Sequence, residues 1–90
     1  MDATKRYALS AQAAIRPEKF GGLAYRYDNR RLYFLHSKVM VDFLLGLDGA
    51  ASLDASIDGF LAERKMSPAN KPMFLNTVEK LEKLEVLREL

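Results

Sequence analysis

Two hydrophobic periods divide the chain. From Leu23 to Leu35 apolar and polar positions alternate, and from His36 onward the repeat lengthens to that of a helix. Leu23-Ala24-Tyr25-Arg26-Tyr27 alternates, Asp28-Asn29 is turn chemistry, and Arg30 to Leu35 resumes a strand. Aromatic and branched residues suit a pleated surface, and Asp and Asn tolerate the positive φ of a two-residue hairpin turn. The predicted register sets Tyr27 opposite Arg30, Arg26 opposite Arg31, Tyr25 opposite Leu32, Ala24 opposite Tyr33 and Leu23 opposite Phe34. Leu23, Tyr25, Leu32 and Phe34 then form the expected core face. Ala24, Arg26, Arg31, Tyr33 and Leu35 form the expected wet face, where two opposed arginines repel unless an anion lies nearby. Upstream, Ala13 to Arg16 reads as a strand ended by Pro17, with Pro17 to Gly22 as a loop. Residues 1–12 read as a loosely ordered arm, with Tyr7 and Leu9 available to pin it.

Three helices follow. Ser37 is a good N-cap for Lys38 to Leu47, in which Val39, Met40, Phe43, Leu44 and Leu47 share one broad face. Ser52 caps a second helix bearing Leu53, Ile57, Phe60 and Leu61, broken at Met66-Ser67-Pro68. The third starts between Ser67 and Pro72, because proline is tolerated only in a first turn. Its helical repeat is Phe74, Val78, Leu81 and Leu84 or Glu85, and Glu79, Lys80, Glu82 and Lys83 make its solvated side. Val86, Leu87 and Leu90 either extend that helix or turn back as a short strand. The expected architecture is α+β and winged-helix-like, a three-stranded antiparallel sheet followed by three helices, in one domain over 1–90. Such a small sheet needs its helices on one face, and its edges offer unpaired backbone groups.

Composition narrows the function. The 90 residues are 49% hydrophobic and 29% charged, a globular balance. There is no cysteine, which excludes disulfides and thiolate zinc sites and fits a cytoplasmic protein. Fourteen Lys and Arg against twelve Asp and Glu leave a formal charge of +2, too little to argue for nucleic acid. The longest apolar run, Val39 to Leu47, is interrupted by Asp42 and is far shorter than a membrane span of roughly 20 residues.

Catalysis finds no support. There is one histidine, no nucleophile-elbow, zincin or Walker motif, and no metal-ligand spacing. His36, at the strand-to-helix junction, is expected to pack or support the cap. Apolar and cationic side chains along an edge strand suit instead an extended acidic peptide, which gains ladder hydrogen bonds, pockets and charge contacts together. The rival is a winged-helix DNA binder. Its reading helix would offer only Asn70, Lys71 and Asn76 among balanced Lys and Glu, a poor source of phosphate contacts. A structural subunit using apolar helix faces is a third reading.

The stretch Ile15-Arg16-Pro17-Glu18-Lys19-Phe20-Gly21-Gly22-Leu23-Ala24-Tyr25, followed by Asn29-Arg30-Arg31-Leu32-Tyr33-Phe34-Leu35, resembles the mycofactocin-system peptide chaperones. These are PqqD-like proteins of the RiPP recognition element class. The likeness is close over the strand region and extends to the helices in length and pattern. It implies a non-catalytic chaperone without cofactor or metal. Such a chaperone binds the acidic leader of a ribosomally made precursor peptide and presents it to a radical S-adenosylmethionine maturase. Strand addition would use Arg30, Arg31, Leu32, Tyr33, Phe34 and Leu35, with Arg26 beside them. The cleft helix would contribute Lys71, Phe74, Leu75, Val78 and Leu81. The chain departs from the wider class where Glu85, rather than glycine, precedes Val86-Leu87.

Overall fold

A computed structural model describes residues 1–90. In chain order the elements are β1 (Tyr7–Leu9), β2 (Ala13–Glu18), β3 (Gly21–Arg26) and β4 (Leu32–Leu35), then α1 (Lys38–Leu45), α2 (Leu53–Glu63), α3 (Lys71–Lys83) and β5 (Leu87–Glu89). The fold is α+β. β2, β3 and β4 form the expected three-stranded antiparallel sheet in that order, and the three helices pack on one side of it.

The hairpin register is the one the alternation predicts, with Leu23 opposite Phe34, Ala24 opposite Tyr33 and Tyr25 opposite Leu32. The turn is longer than expected. Tyr27 donates its N–H to the carbonyl of Gln12, the residue just before β2, and Arg26 N–H donates to Arg31 O to close the loop. Arg30 takes the left-handed φ of 56°, in place of Asp28 or Asn29. Asn29 Oδ1 accepts the Arg31 N–H and steadies that loop. β2 runs through Pro17, which faces Gly22, because β2 is an edge strand whose outer side needs no donor. The loop read over Pro17 to Gly22 is thus a tight turn. Gly21 is required there: its φ is 146°, and a Cβ would lie 2.0 Å from Leu35 O.

The two faces of the hairpin are reversed from expectation. The helices cover Ala24, Arg26, Tyr33 and Leu35, while Leu32 and Phe34 are exposed and Leu23 and Tyr25 half-buried. The cause is close approach. α1 lies so near β3 that a Cβ on Gly22 would sit 2.8 Å from a Val41 methyl, so only small side chains fit under it. The bulkier apolar set therefore turns away from the core.

The helices follow their patterns. Ser37 accepts from Met40 N–H and Ser52 from Ala55 N–H, as N-caps do. A single 3₁₀ turn at Pro68–Asn70 leads into α3. Phe43, Phe60 and Phe74, one from each helix, meet with ring centroids 5.2–5.7 Å apart and join the helices around the core. α3 ends in a Schellman motif: Val86 N–H donates to Leu81 O and Glu85 N–H to Glu82 O, with Glu85 itself at φ 62°. α2 ends the same way around Lys65 at φ 56°.

After that cap the chain turns back as β5, the second of the two alternatives open in the sequence. β5 pairs antiparallel with β1, setting Tyr7 opposite Glu89 and Leu9 opposite Leu87. The amino-terminal segment is pinned through Tyr7, which is fully buried, and Leu9, which packs on the core. Leu53 and Asp54 N–H groups at the start of α2 donate to Lys5 and Ala3 carbonyls, tying the segment down further.

Candidate functional site

β4 is the free edge of the sheet next to α3, since β3 occupies its other side. In an antiparallel pair, hydrogen-bonded rungs alternate with open ones. The Arg26 N–H to Arg31 O bond makes that rung a bonded one, so Ala24–Tyr33 is bonded as well. Leu32 and Phe34 fall on the open rungs, and their N–H and C=O groups point away from β3 toward the vacant edge. That edge borders a cleft of about 430 Å³ between β4 and α3.

The cleft is mostly apolar. Tyr33 and Leu35 line its sheet side, Met40 and Leu81 its floor, and Met73, Thr77, Lys80 and Leu84 its α3 side. Leu32 and Phe34 form the lip, and His36 and Ser37 close one end. Lys80 is the one cation among these residues, it is exposed, and it forms no ion pair. Met73, Thr77 and Lys80 of α3 and Leu84 at its C-cap recur at i, i+4, i+7 and i+11, which aligns them along one flank of the helix.

Of the residues singled out in the sequence, Leu32 to Leu35 and Leu81 meet at this cleft. Phe74 and Val78 are fully buried in the core, and Leu75 packs against it away from the cleft. Lys71 projects toward α2, where Asp54 and Asp58 hold its ammonium at 3.2 and 3.1 Å. Hydrogen bonds to Asp58 and Asp54 keep that ammonium protonated above its ordinary range. Arg30 and Arg31 are exposed at the hairpin turn, beyond the end of the cleft.

Arg26 lies on the helix side of the sheet instead of on a wet face. Its side chain is 9% exposed, and its guanidinium grips Asp28 with two hydrogen bonds of 3.0 and 2.8 Å. The remaining nitrogen donates to the carbonyl of Glu85 in the α3 cap. The Asp28 hydrogen bond raises the Arg26 pKa, and its counterpart lowers that of Asp28. Arg26 thus ties the hairpin to the C-terminus of α3, the two walls of the cleft.

The cleft residues missed in the sequence are His36, Ser37, Met40, Met73, Thr77, Lys80 and Leu84. The signal was available: Met73, Thr77 and Lys80 each precede a core residue, Phe74, Val78 and Leu81, and so lie about 100° around the helix. His36 is exposed, its ring nearly parallel to Phe34 at 6.3 Å and tilted against Phe20 at 5.8 Å. No group of three or more His, Asp or Glu side chains converges to hold a metal, and no helix is long and apolar enough to cross a membrane.

A vacant strand edge beside an apolar trough offers main-chain pairing for affinity and side-chain pockets at every second position for selectivity. Comparison of the chain with curated proteins finds no match, and neither does comparison with solved structures. The model of one family, described as the Peptide chaperone MftB family, matches residues 6–88, from the edge of β1 into β5, and the chain belongs to that family.

Proposed function

We propose that the protein binds the leader segment of a ribosomally made precursor peptide as an added strand on β4. It would present that peptide to a radical S-adenosylmethionine maturase in mycofactocin biosynthesis. The observation carrying this reading is the free edge of β4, with the backbone of Leu32 and Phe34 aimed into an apolar cleft. Membership of a peptide chaperone family supports the same reading. Lys80 inside the cleft, with Arg30 and Arg31 beyond one end, gives an acidic leader favourable charges along its path. Chaperoning needs no cofactor, only a rigid edge and a groove.

The rival winged-helix DNA reading loses ground for a specific reason. Lys71, the one cation in the first turn of α3, is engaged by two carboxylates of α2 and offers little to a phosphate.

Amide exchange of the protein with and without the leader peptide tests the reading. Slowed exchange at Leu32 and Phe34 is expected, because those amides acquire acceptors. Unchanged exchange at both, under saturating peptide, refutes strand addition.

A further inference from the structure

The largest apolar surface of the sheet is on the side away from the helices. Phe20, Tyr27, Leu32 and Phe34 are 44%, 56%, 58% and 62% exposed there. Leu23 and Tyr25 join them into one patch, because Leu23 faces Phe34 and Tyr25 faces Leu32 across the strands. Ring contacts bind its two ends, Phe20 to Phe34 at 5.8 Å and Tyr25 to Tyr27 at 5.4 Å. A contiguous apolar face of this kind on a small protein marks an interaction surface. Leu32 and Phe34 also form the lip of the peptide cleft, but Phe20, Leu23, Tyr25 and Tyr27 do not line it, so the patch extends well beyond that cleft.

Charge says what covers it. The turns at the two ends of the sheet present Lys19 at one end and Arg30 and Arg31 at the other, all exposed and none ion-paired. The acids nearby are already engaged, Glu18 with Arg16 and Asp28 with Arg26. A second copy placed face to face would set cation against cation in either alignment of the strands. The complementary occupant is a different protein with an apolar centre and an acidic rim.

The position of β4 says more. A guest strand added at its edge extends this same sheet, so every second guest side chain emerges on the outer face beside Leu32 and Phe34. A protein seated there touches the chaperone and its guest together. We propose that this outer sheet face is the docking surface for the enzyme that processes the guest, and that loading of the peptide completes it. The inference rests on the chaperone reading above. By linkage, peptide and enzyme then strengthen each other's binding by the same factor.

The test uses the purified full chain, a synthetic leader peptide and the maturase proposed above. Titration calorimetry measures peptide affinity first, then enzyme affinity with and without peptide. For the wild type, enzyme binding at least threefold tighter with peptide is expected. Tyr25→Glu, and Phe20→Ser in the turn where folding is least at risk, should keep peptide affinity within twofold. Tyr25→Glu should weaken the enzyme at least tenfold, and Phe20→Ser at least threefold. Wild-type enzyme affinity in both variants overturns the proposal, as does a wild-type protein that binds peptide but no enzyme. Sedimentation showing a dimer that Phe20→Ser dissolves also overturns it, in favour of a second copy. A wild type that binds no peptide fails at the earlier step and takes the chaperone reading with it.

Discussion

Proline at position 34 isolates the backbone contribution to peptide binding. Phe34 is on an open rung, so its N–H points at the vacant edge and takes no part in pairing β4 to β3. Proline there removes one donor to a guest while leaving the Ala24–Tyr33 rung intact, a placement that edge strands tolerate. Its ring also favours an extended conformation at Tyr33, which that residue already has as part of β4. The fold should therefore survive. The Phe34 side chain is lost as well, but it is 62% exposed, and its loss is shared by Phe34→Ala. The ratio of the two affinities reports the N–H alone.

A guest carbonyl that loses this donor faces a proline ring instead of an amide, and its desolvation goes uncompensated. Such an orphaned acceptor costs about 1–3 kcal/mol. That corresponds to an affinity roughly 5-fold to 150-fold weaker in Phe34→Pro than in Phe34→Ala. Titration calorimetry at 25 °C reads the difference, with circular dichroism and thermal melts confirming that both variants are folded. Tyr33→Pro is the contrasting control, since its N–H is a ladder donor to β3, and it should lower the melting temperature. Equal affinities for the two folded Phe34 variants would mean that the guest does not pair with β4, whatever else holds it.

Three further outcomes follow from single features. Lys80→Glu should weaken an acidic leader by roughly threefold to tenfold, the size of an exposed ion pair reversed, and the loss should shrink with added salt in the same titration. Glu85→Gly relieves a left-handed residue at the α3 cap whose side chain is 79% exposed, so it should stabilise the fold by about 1 kcal/mol. A calorimetric melt should record that as a rise of about 4–8 °C. Tyr7 provides the pH test. Burial raises its hydroxyl above the ordinary 10.0, so the folded state holds that proton more tightly than the unfolded state does. Its contribution is whole below that value and declines as pH rises through the higher folded one. Denaturation midpoints between about pH 9 and about pH 12 should fall less steeply in Tyr7→Phe than in the wild type. Parallel curves would show that the buried hydroxyl does not govern alkaline stability.

What could be read from the sequence depended on how local the determining interaction is. The β3–β4 register was legible because alternation and a nearby turn set it, even though the turn uses Arg30 where Asp28-Asn29 was expected. The caps Ser37 and Ser52 were legible for the same reason. The pairing of β1 with β5 was hidden, since two three-residue strands at opposite ends of the chain have no local signal. The faces of the hairpin were misassigned by a sound rule applied without its partner surface: the bulkier apolar set was given to the core. The core side was decided by the nearness of α1, which leaves no room for a Cβ at Gly22 and fully buries the small Ala24 beside it. A similar gap explains α3. The stripe Phe74, Val78 and Leu81 is visible in the sequence, but only the position of β4 reveals that the adjacent flank, Met73, Thr77 and Lys80, is left facing an open cleft. Both features have one origin. A helix pressed close to the middle of a small sheet uses up its small residues, pushing its large apolar ones onto the outer face. The edge strand beside α3 is left uncovered, so an open strand edge and an exposed apolar sheet face meet at β4.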